Sequence, residues 1–171
     1  MKVWYGLVFN LILAALVISG AVFFKTRAEE RGVSLLVARD SRSGKKYGSW
    51  TLPEGGEFSI EFIHSVNQTP VRDTFKIEKK RIWPVAARFS SFGAGMQTAL
   101  EEEQAFSREG DFLVITGFTQ SYRELNYIVG TVSDHILWIR DEPVSLRDLC
   151  GKNAHVRFRV EGGFAGKGGA L

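Results

Sequence analysis

Residues 57–64 read EFSIEFIH, and apolar and polar side chains alternate along the whole stretch. The two phenylalanines fall on one face together with His64, while the glutamates and the serine fall on the other. Strict alternation over four to eight residues is typical of a β-strand with one face buried and the other in water. The same alternation recurs at residues 71–77 and 155–161. These three stretches predict half-buried strands of an antiparallel sheet.

Shorter apolar runs predict further strands at residues 33–38, 47–52, 82–89, 112–116, 127–132 and 135–140. Turn-forming residues separate the runs, at 41–44, 53–56, 110–111 and 141–143. Residues 98–107 contain helix formers, and we expect a loop or a single helical turn there, with another short turn at 145–149. The pattern predicts one all-β domain over residues 32–161, built as a single antiparallel β-sandwich or small barrel.

The N-terminal residues 3–24 read VWYGLVFNLILAALVISGAVFF and include no charged side chain. An α-helix rises about 1.5 Å per residue, so about 20 apolar residues cross the ~30 Å hydrocarbon core of a bilayer. We therefore expect one N-terminal transmembrane helix, with residues 1–31 as membrane anchor and flank. The alternative is a cleaved secretory signal, although the apolar region of such signals is shorter, about 7–15 residues. The glycine-rich residues 162–171 are expected to form a flexible tail.

The charges beside this run give opposing indications of orientation. Lys2 precedes the run, whereas Lys25, Arg27 and Arg31 come after it, and the positive-inside rule then slightly favours a cytoplasmic domain. A short N-terminus before a signal-like apolar run instead favours export of the C-terminal domain. We expect a single-pass protein of the cytoplasmic membrane whose domain is extracytoplasmic.

Composition excludes several classes of function. The chain has 22 Lys and Arg against 19 Asp and Glu, without the basic stripe and interleaved aromatic residues of a nucleic-acid binder, so no nucleic-acid partner is expected. The one cysteine, Cys150, excludes an internal disulfide. The three histidines are not spaced as zinc or calcium ligands. We predict no metal site and no cofactor.

The polar connection at residues 64–73, HSVNQTPVRD, is the most unusual stretch of the chain. His64 and Asp73 each share the apolar face of their strand, so a hairpin would bring them near one another. A Ser/His/Asp arrangement with Ser65 is one interpretation, but adjacent residues on a strand point to opposite faces. The interpretation that we prefer is a hydrogen bond between His64 and Asp73 that fixes strand register, and contact with a ligand or partner is the alternative.

A second unusual stretch, FSSFGAGM at residues 89–96, includes Gly93 and Gly95. Glycines permit positive φ and close approach of the backbone, and exposed N–H groups in such a turn could receive an anion. No lysine and helix come after it as in a P-loop. A tight turn or bulge is the simpler interpretation.

These stretches resemble a known bacterial family, domain of unknown function 1850, over roughly residues 34–160. The resemblance rests on residues 58–66, 69–73, 89–96 and 130–137, although the family usually has glutamate at the position of Asp73. It implies an accessory role beside TAXI-type TRAP transporters, which import organic acids through a solute receptor and a membrane permease. It implies no catalytic residues. The positions that match its motifs are His64, Ser65, Thr69, Pro70, Asp73, Gly93 and Gly95.

Three functions are compatible with these observations. The first is a non-enzymatic, membrane-anchored accessory protein that docks a TRAP transporter permease or its solute receptor. The second is a β-sandwich that binds a small organic anion near Arg72, His64 and the amides of residues 93–95. The third is a hydrolase that uses His64 and Asp73, which requires the two side chains within hydrogen-bond reach in an open cleft.

Overall fold

The computed structural model describes residues 32–66, 68–90 and 100–162. The predicted transmembrane helix, Gly93, Gly95 and nearly all of the predicted tail lie outside the described residues. Within the described ranges, no helix is long and apolar enough to cross a bilayer.

Strands make up nearly all of the regular secondary structure of the described chain, which also has one short helix, α1, at Leu146–Cys150. The strands are β1 Val33–Asp40, β2 Lys46–Pro53, β3 Glu57–Ile63, β4 Pro70–Glu78, β5 Arg81–Phe89, β6 Ala105–Glu109, β7 Phe112–Thr116, β8 Glu124–Ile128, β9 His135–Ile139, β10 Glu142–Ser145 and β11 His155–Glu161.

The strands form two antiparallel sheets, one of four strands in the order β2-β1-β11-β8 and one of seven in the order β10-β9-β3-β4-β5-β7-β6. Apolar residues from both sheets meet in one cluster, which includes Leu36, Phe158, Phe58 and Ile60. Phe58 stacks on Phe75 with ring centroids 5.4 Å apart. The all-β prediction is therefore confirmed, and the β-sandwich rather than the small barrel is the form that it takes.

The two sheets differ in width, and this difference positions the candidate site. A sheet gains about 4.8 Å of width per strand, so the seven-stranded sheet is the wider by about 14 Å. A second, smaller apolar cluster lies on its inner face, around Val71, Phe89 and Ile115 on strands β4, β5 and β7. The apolar interior thus has a satellite region beside the main core.

Three elements differ from the sequence-based expectation. Residues 98–107 were expected to form a loop or helical turn, but β6 begins at Ala105. Every β6 side chain is exposed, so the sequence there shows no alternation of apolar and polar residues. β10 includes the predicted turn residue Pro143, which an edge strand tolerates because one side of it needs no hydrogen bonds. β8 begins at Glu124 rather than Tyr127 and ends before Gly130.

Candidate functional site

A cavity of about 520 Å³ lies against the inner face of the seven-stranded sheet. Ligand pockets in proteins commonly measure about 300–1,000 Å³. Aromatic and aliphatic side chains from β3, β4, β5 and β7 form its floor, and the connection from β7 to β8 forms a side wall. The polar groups on the wall include His64 and Asp73, so these two motif residues line the same cavity.

The chain makes room for this cavity through an irregularity in β5. β7 pairs only with residues 87–89 of β5, so the earlier part of β5 has β4 on one side and a single bridge to Tyr122 on the other. Pro84, which has no N–H, lies in this part, and a register shift in the β4–β5 pairing occurs beside it. Pro84 and Ala87 both line the cavity.

The side wall is fixed to β5 by polar contacts. Tyr122 exchanges two backbone hydrogen bonds with Ile82, of 2.8 and 2.9 Å. The guanidinium of Arg81 donates to the carbonyl of Ser121 at 2.7 Å and to its hydroxyl. Phe118 and Tyr122, from this anchored connection, both line the cavity. The wall is therefore part of the ordered framework.

Asp73 is the carboxyl group of the cavity wall. The hydroxyl of Tyr127, on the opposite sheet, donates to Asp73 Oδ2 at 3.5 Å, across a sequence separation of 54 residues. Burial raises the pKa of Asp73 to about 6, and the Tyr127 hydrogen bond lowers it by a smaller amount. Burial, followed by the negative charge of Asp73, raises the pKa of the Tyr127 hydroxyl well above its ordinary value. The pair therefore keeps the phenol proton and leaves the carboxyl ready to ionise near neutral pH.

Aromatic side chains pack against Tyr127. Tyr127 contacts the His135 ring edge-to-face at 6.0 Å, and His135 stacks on Phe62 at 5.0 Å. The backbone N–H of Gly130 donates to His135 Nδ1 at 3.2 Å. Burial lowers the pKa of His135, so this imidazole is neutral at pH 7. His135 therefore packs against both Tyr127 and Phe62, and Phe62 lines the cavity.

Asp134, which precedes His135, holds the chain locally. Its Oδ1 accepts from the backbone N–H of His135 at 2.7 Å and from that of Arg147 at 2.9 Å, and its Oδ2 accepts from the Ser145 hydroxyl. Ser145 caps α1, because its oxygen accepts from the N–H of Asp148. Asp134 therefore joins the start of β9 to the start of α1.

The connection between β3 and β4 is a closed hairpin. The N–H of His64 donates to the Thr69 carbonyl at 2.8 Å, and the Gln68 side chain donates to the Ser65 carbonyl at 2.6 Å. Gln68 has φ of 53°, as the tight turn requires. Ser65 is exposed at the tip, and Thr69 and Pro70, which are half-buried, lead into β4.

The pairing register separates His64 from Asp73. Asp73 lies opposite Ile60, four residues before His64, which corresponds to about 13 Å along the strand. A direct His64–Asp73 hydrogen bond that fixes the register is therefore not the arrangement observed; Tyr127 holds the carboxyl. The hydrolase interpretation lacks its required geometry for the same reason.

Arg72 lies on the other face of the sheet from Asp73. Its guanidinium is 4.6 Å from the centre of the Trp138 ring, and its Nε is 3.4 Å from Glu61 Oε2. The structure therefore does not bring Arg72 into the cavity with His64, contrary to the expected anion site, because neighbours on a strand face opposite ways. Gly93 and Gly95, the other members of that expected site, lie outside the described residues.

Of the residues that line the cavity, sequence reasoning identified His64 and Asp73 as site residues; it did not identify the others, such as Tyr122, Phe118 and Ala87, or the hydrogen-bonding partner Tyr127. They come from separate strands and connections, and only the fold brings them together. In residues 32–66, 68–90 and 100–162, no group of three or more His, Cys, Asp or Glu side chains is arranged to hold a metal ion.

Comparison with known proteins gives one match. The family described as domain of unknown function (DUF1850) matches residues 58–146, which include β3 to β10 and most of the cavity wall. No curated protein and no solved structure matches the chain. Because the match extends over more than half of the chain, the protein belongs to the DUF1850 family.

Proposed function

We propose that this protein is a non-enzymatic binding domain that holds a small, mainly apolar molecule between its sheets. The observation that supports the proposal is the 520 Å³ cavity, which is lined mainly by apolar side chains and includes Asp73 in its wall. A pocket that is largely apolar and has few polar groups is the usual form of a small-molecule site. Binding requires no further group, whereas a catalytic pair of His64 and Asp73 would need the two side chains within hydrogen-bond reach of each other.

Filling the cavity tests this proposal. Ala87 lies on the cavity wall, so Ala87→Phe places a ring in the space that a ligand would occupy. Ala105 is exposed on the edge strand β6, and Ala105→Phe is the matched control. The probe is 2-(4-fluorophenyl)ethanol, followed by fluorine NMR with the full-length chain in detergent, and empty micelles give the background.

We expect saturable broadening of the probe resonance with the wild type and with Ala105→Phe, and at least tenfold weaker binding with Ala87→Phe. Circular dichroism establishes that both variants are folded. If the wild type gives no more broadening than empty micelles do, the proposal is overturned. Equal binding by the wild type and a folded Ala87→Phe variant would place the probe elsewhere and would overturn it as well.

We further propose that the domain is an extracytoplasmic accessory of a TAXI-type TRAP transport system, anchored in the cytoplasmic membrane by a single pass at residues 3–24. Family membership and the apolar N-terminal run support this role. The exposed hairpin tip gives it a candidate contact surface, because the Val66 side chain is 64% exposed at the tip. An exposed valine in a tight hairpin is available for contact with the permease or the solute receptor.

Copurification from bacterial membranes tests the accessory role. Val66→Asp is compared with Val132→Asp, because Val132 is 90% exposed and belongs to the connection between β8 and β9 rather than to the hairpin. We expect the permease or the receptor, identified by mass spectrometry, to copurify with the wild type and Val132→Asp and to be lost with Val66→Asp. Absence of both transporter components from the wild-type preparation would contradict the role.

A further inference from the structure

The cavity combines an acidic group with walls that carry almost no compensating positive charge. Among the described residues of the wall there is no Lys or Arg, and His64 is the one basic side chain. An ionised carboxylate in a partly dry space is costly unless a positive group or several donors surround it. Asp73 therefore has an electrostatic requirement that the described wall meets only in part.

The hydrogen-bonding capacity of Asp73 is also largely unused. A carboxylate has two oxygens that together accept about four hydrogen bonds. In the described part of the chain, its one hydrogen bond comes from the Tyr127 hydroxyl to Oδ2, at 3.5 Å, which is long for an O–H···O bond. A ligand that enters the cavity could donate to the carboxylate without displacing any stronger partner.

The rest of the wall is suited to an apolar body and to a cation beside it. Phe62, Phe75, Phe89 and Phe118 contribute aromatic rings to the cavity. Aromatic faces carry partial negative charge and attract alkylammonium groups within about 6 Å. Apolar contacts would hold the body of a ligand, while the rings and Asp73 both favour positive charge at its head.

We propose that the cavity selects small apolar molecules that carry a protonated amine, with the ammonium group bound to the Asp73 carboxylate beside the Tyr127 hydroxyl. This inference rests on the proposed function, that the cavity binds a small molecule. It reverses the polarity of the anion site expected from the sequence, since the arginine that would attract an anion pairs with Glu61 on the other face of the sheet.

Three probes that share one body test the inference at pH 7.5: 2-(4-fluorophenyl)ethylamine, 2-(4-fluorophenyl)ethanol and 4-fluorophenylacetate. Fluorine NMR titrations use the full-length chain in detergent. We expect wild-type affinity for the amine to exceed that for the alcohol by at least tenfold, and the carboxylate to bind most weakly. Asp73→Asn should abolish the preference for the amine and retain binding of the alcohol.

Tyr127→Phe keeps the carboxylate and removes the hydroxyl, so this variant should still prefer the amine, by at least fivefold. If the wild type binds the alcohol and has no higher affinity for the amine, the inference is overturned, but the proposed function is still supported. If none of the three probes binds, both fail. Unchanged amine preference in a folded Asp73→Asn variant assigns selectivity to another group and overturns the inference.

Discussion

Replacing Asp73 with asparagine should stabilise the protein at pH 8 by about 2 kcal/mol. Burial raises the pKa of Asp73 from 3.8 to about 6, so the folded state disfavours the ionised form. One pKa unit corresponds to about 1.4 kcal/mol, and ionisation therefore costs at most about 3 kcal/mol. Water that reaches the cavity screens part of this cost, which reduces the expected effect to about 2 kcal/mol. Asparagine does not ionise, and its side-chain oxygen can still accept the hydrogen bond from the Tyr127 hydroxyl.

The effect depends on pH in a defined direction. Between pH 3.8 and about 6 the folded protein holds the Asp73 proton more tightly than the unfolded chain does. The free energy of unfolding of the wild type therefore falls as pH rises through this window. The other ionisable groups are the same in both proteins, so their contributions cancel in the comparison. The difference between variant and wild type should be near zero at pH 3.5 and complete at pH 8.

Urea unfolding of the full-length chain in detergent, followed by tryptophan fluorescence from pH 3.5 to 8, measures this difference. Asp111→Asn is the matched control, because it removes the same charge from an exposed turn and should give no comparable rise with pH. The reasoning is refuted if Asp73→Asn is less stable than wild type at pH 8, or if the difference is constant over the whole range.

Three further predictions concern stability and reactivity. Asp134→Ala should lower the free energy of unfolding by about 2–4 kcal/mol in urea, because three donors lose their acceptor; a loss below 0.5 kcal/mol would contradict this role. Gly117→Ala should lower the free energy of unfolding by at least about 2 kcal/mol more than Gly55→Ala does. The two glycines have similar φ, 81° and 77°, but of the two only Gly117 lies against nearby backbone, and equal losses would contradict the steric argument. Burial raises the pKa of Cys150 from 9.0 to about 11, so iodoacetamide at pH 8 should alkylate it about 100-fold more slowly in the folded protein than in urea, and equal rates would contradict this.

The sequence predicted the strands whose side chains alternate, because alternation is a local property that one buried face imposes. β3, β4 and β11 were predicted to within two residues for this reason. β6 could not be found this way, since an edge strand with five exposed residues has pairing but no burial. The apolar residues after β8 extended the predicted strand to Val132, although β8 itself ends at Ile128.

The candidate site was predictable only in part. Because side chains alternate between the two faces of a strand, the sequence placed Asp73 on the inner face with Val71, and in the structure both residues line the cavity. The same alternation places Arg72 on the opposite face, although the predicted anion site included Arg72 together with His64. The partner Tyr127 lies 54 residues away on the other sheet, so no local pattern could connect it to Asp73. A local sequence pattern shows which face of a strand a side chain occupies, whereas a contact between the two sheets depends on the whole fold.

Asp134 and Asp73 differ in how many hydrogen bonds each accepts. Asp134 accepts three hydrogen bonds and holds β9 to α1, so its contribution to stability explains its presence. Within the described part of the chain, Asp73 accepts one long hydrogen bond; burial raises its pKa, so its ionised form costs stability. Residues that lower stability are typical of functional sites, where a ligand offsets the cost. An ammonium group at Asp73 would do so, and the stability gained in Asp73→Asn should therefore accompany the loss of amine selectivity.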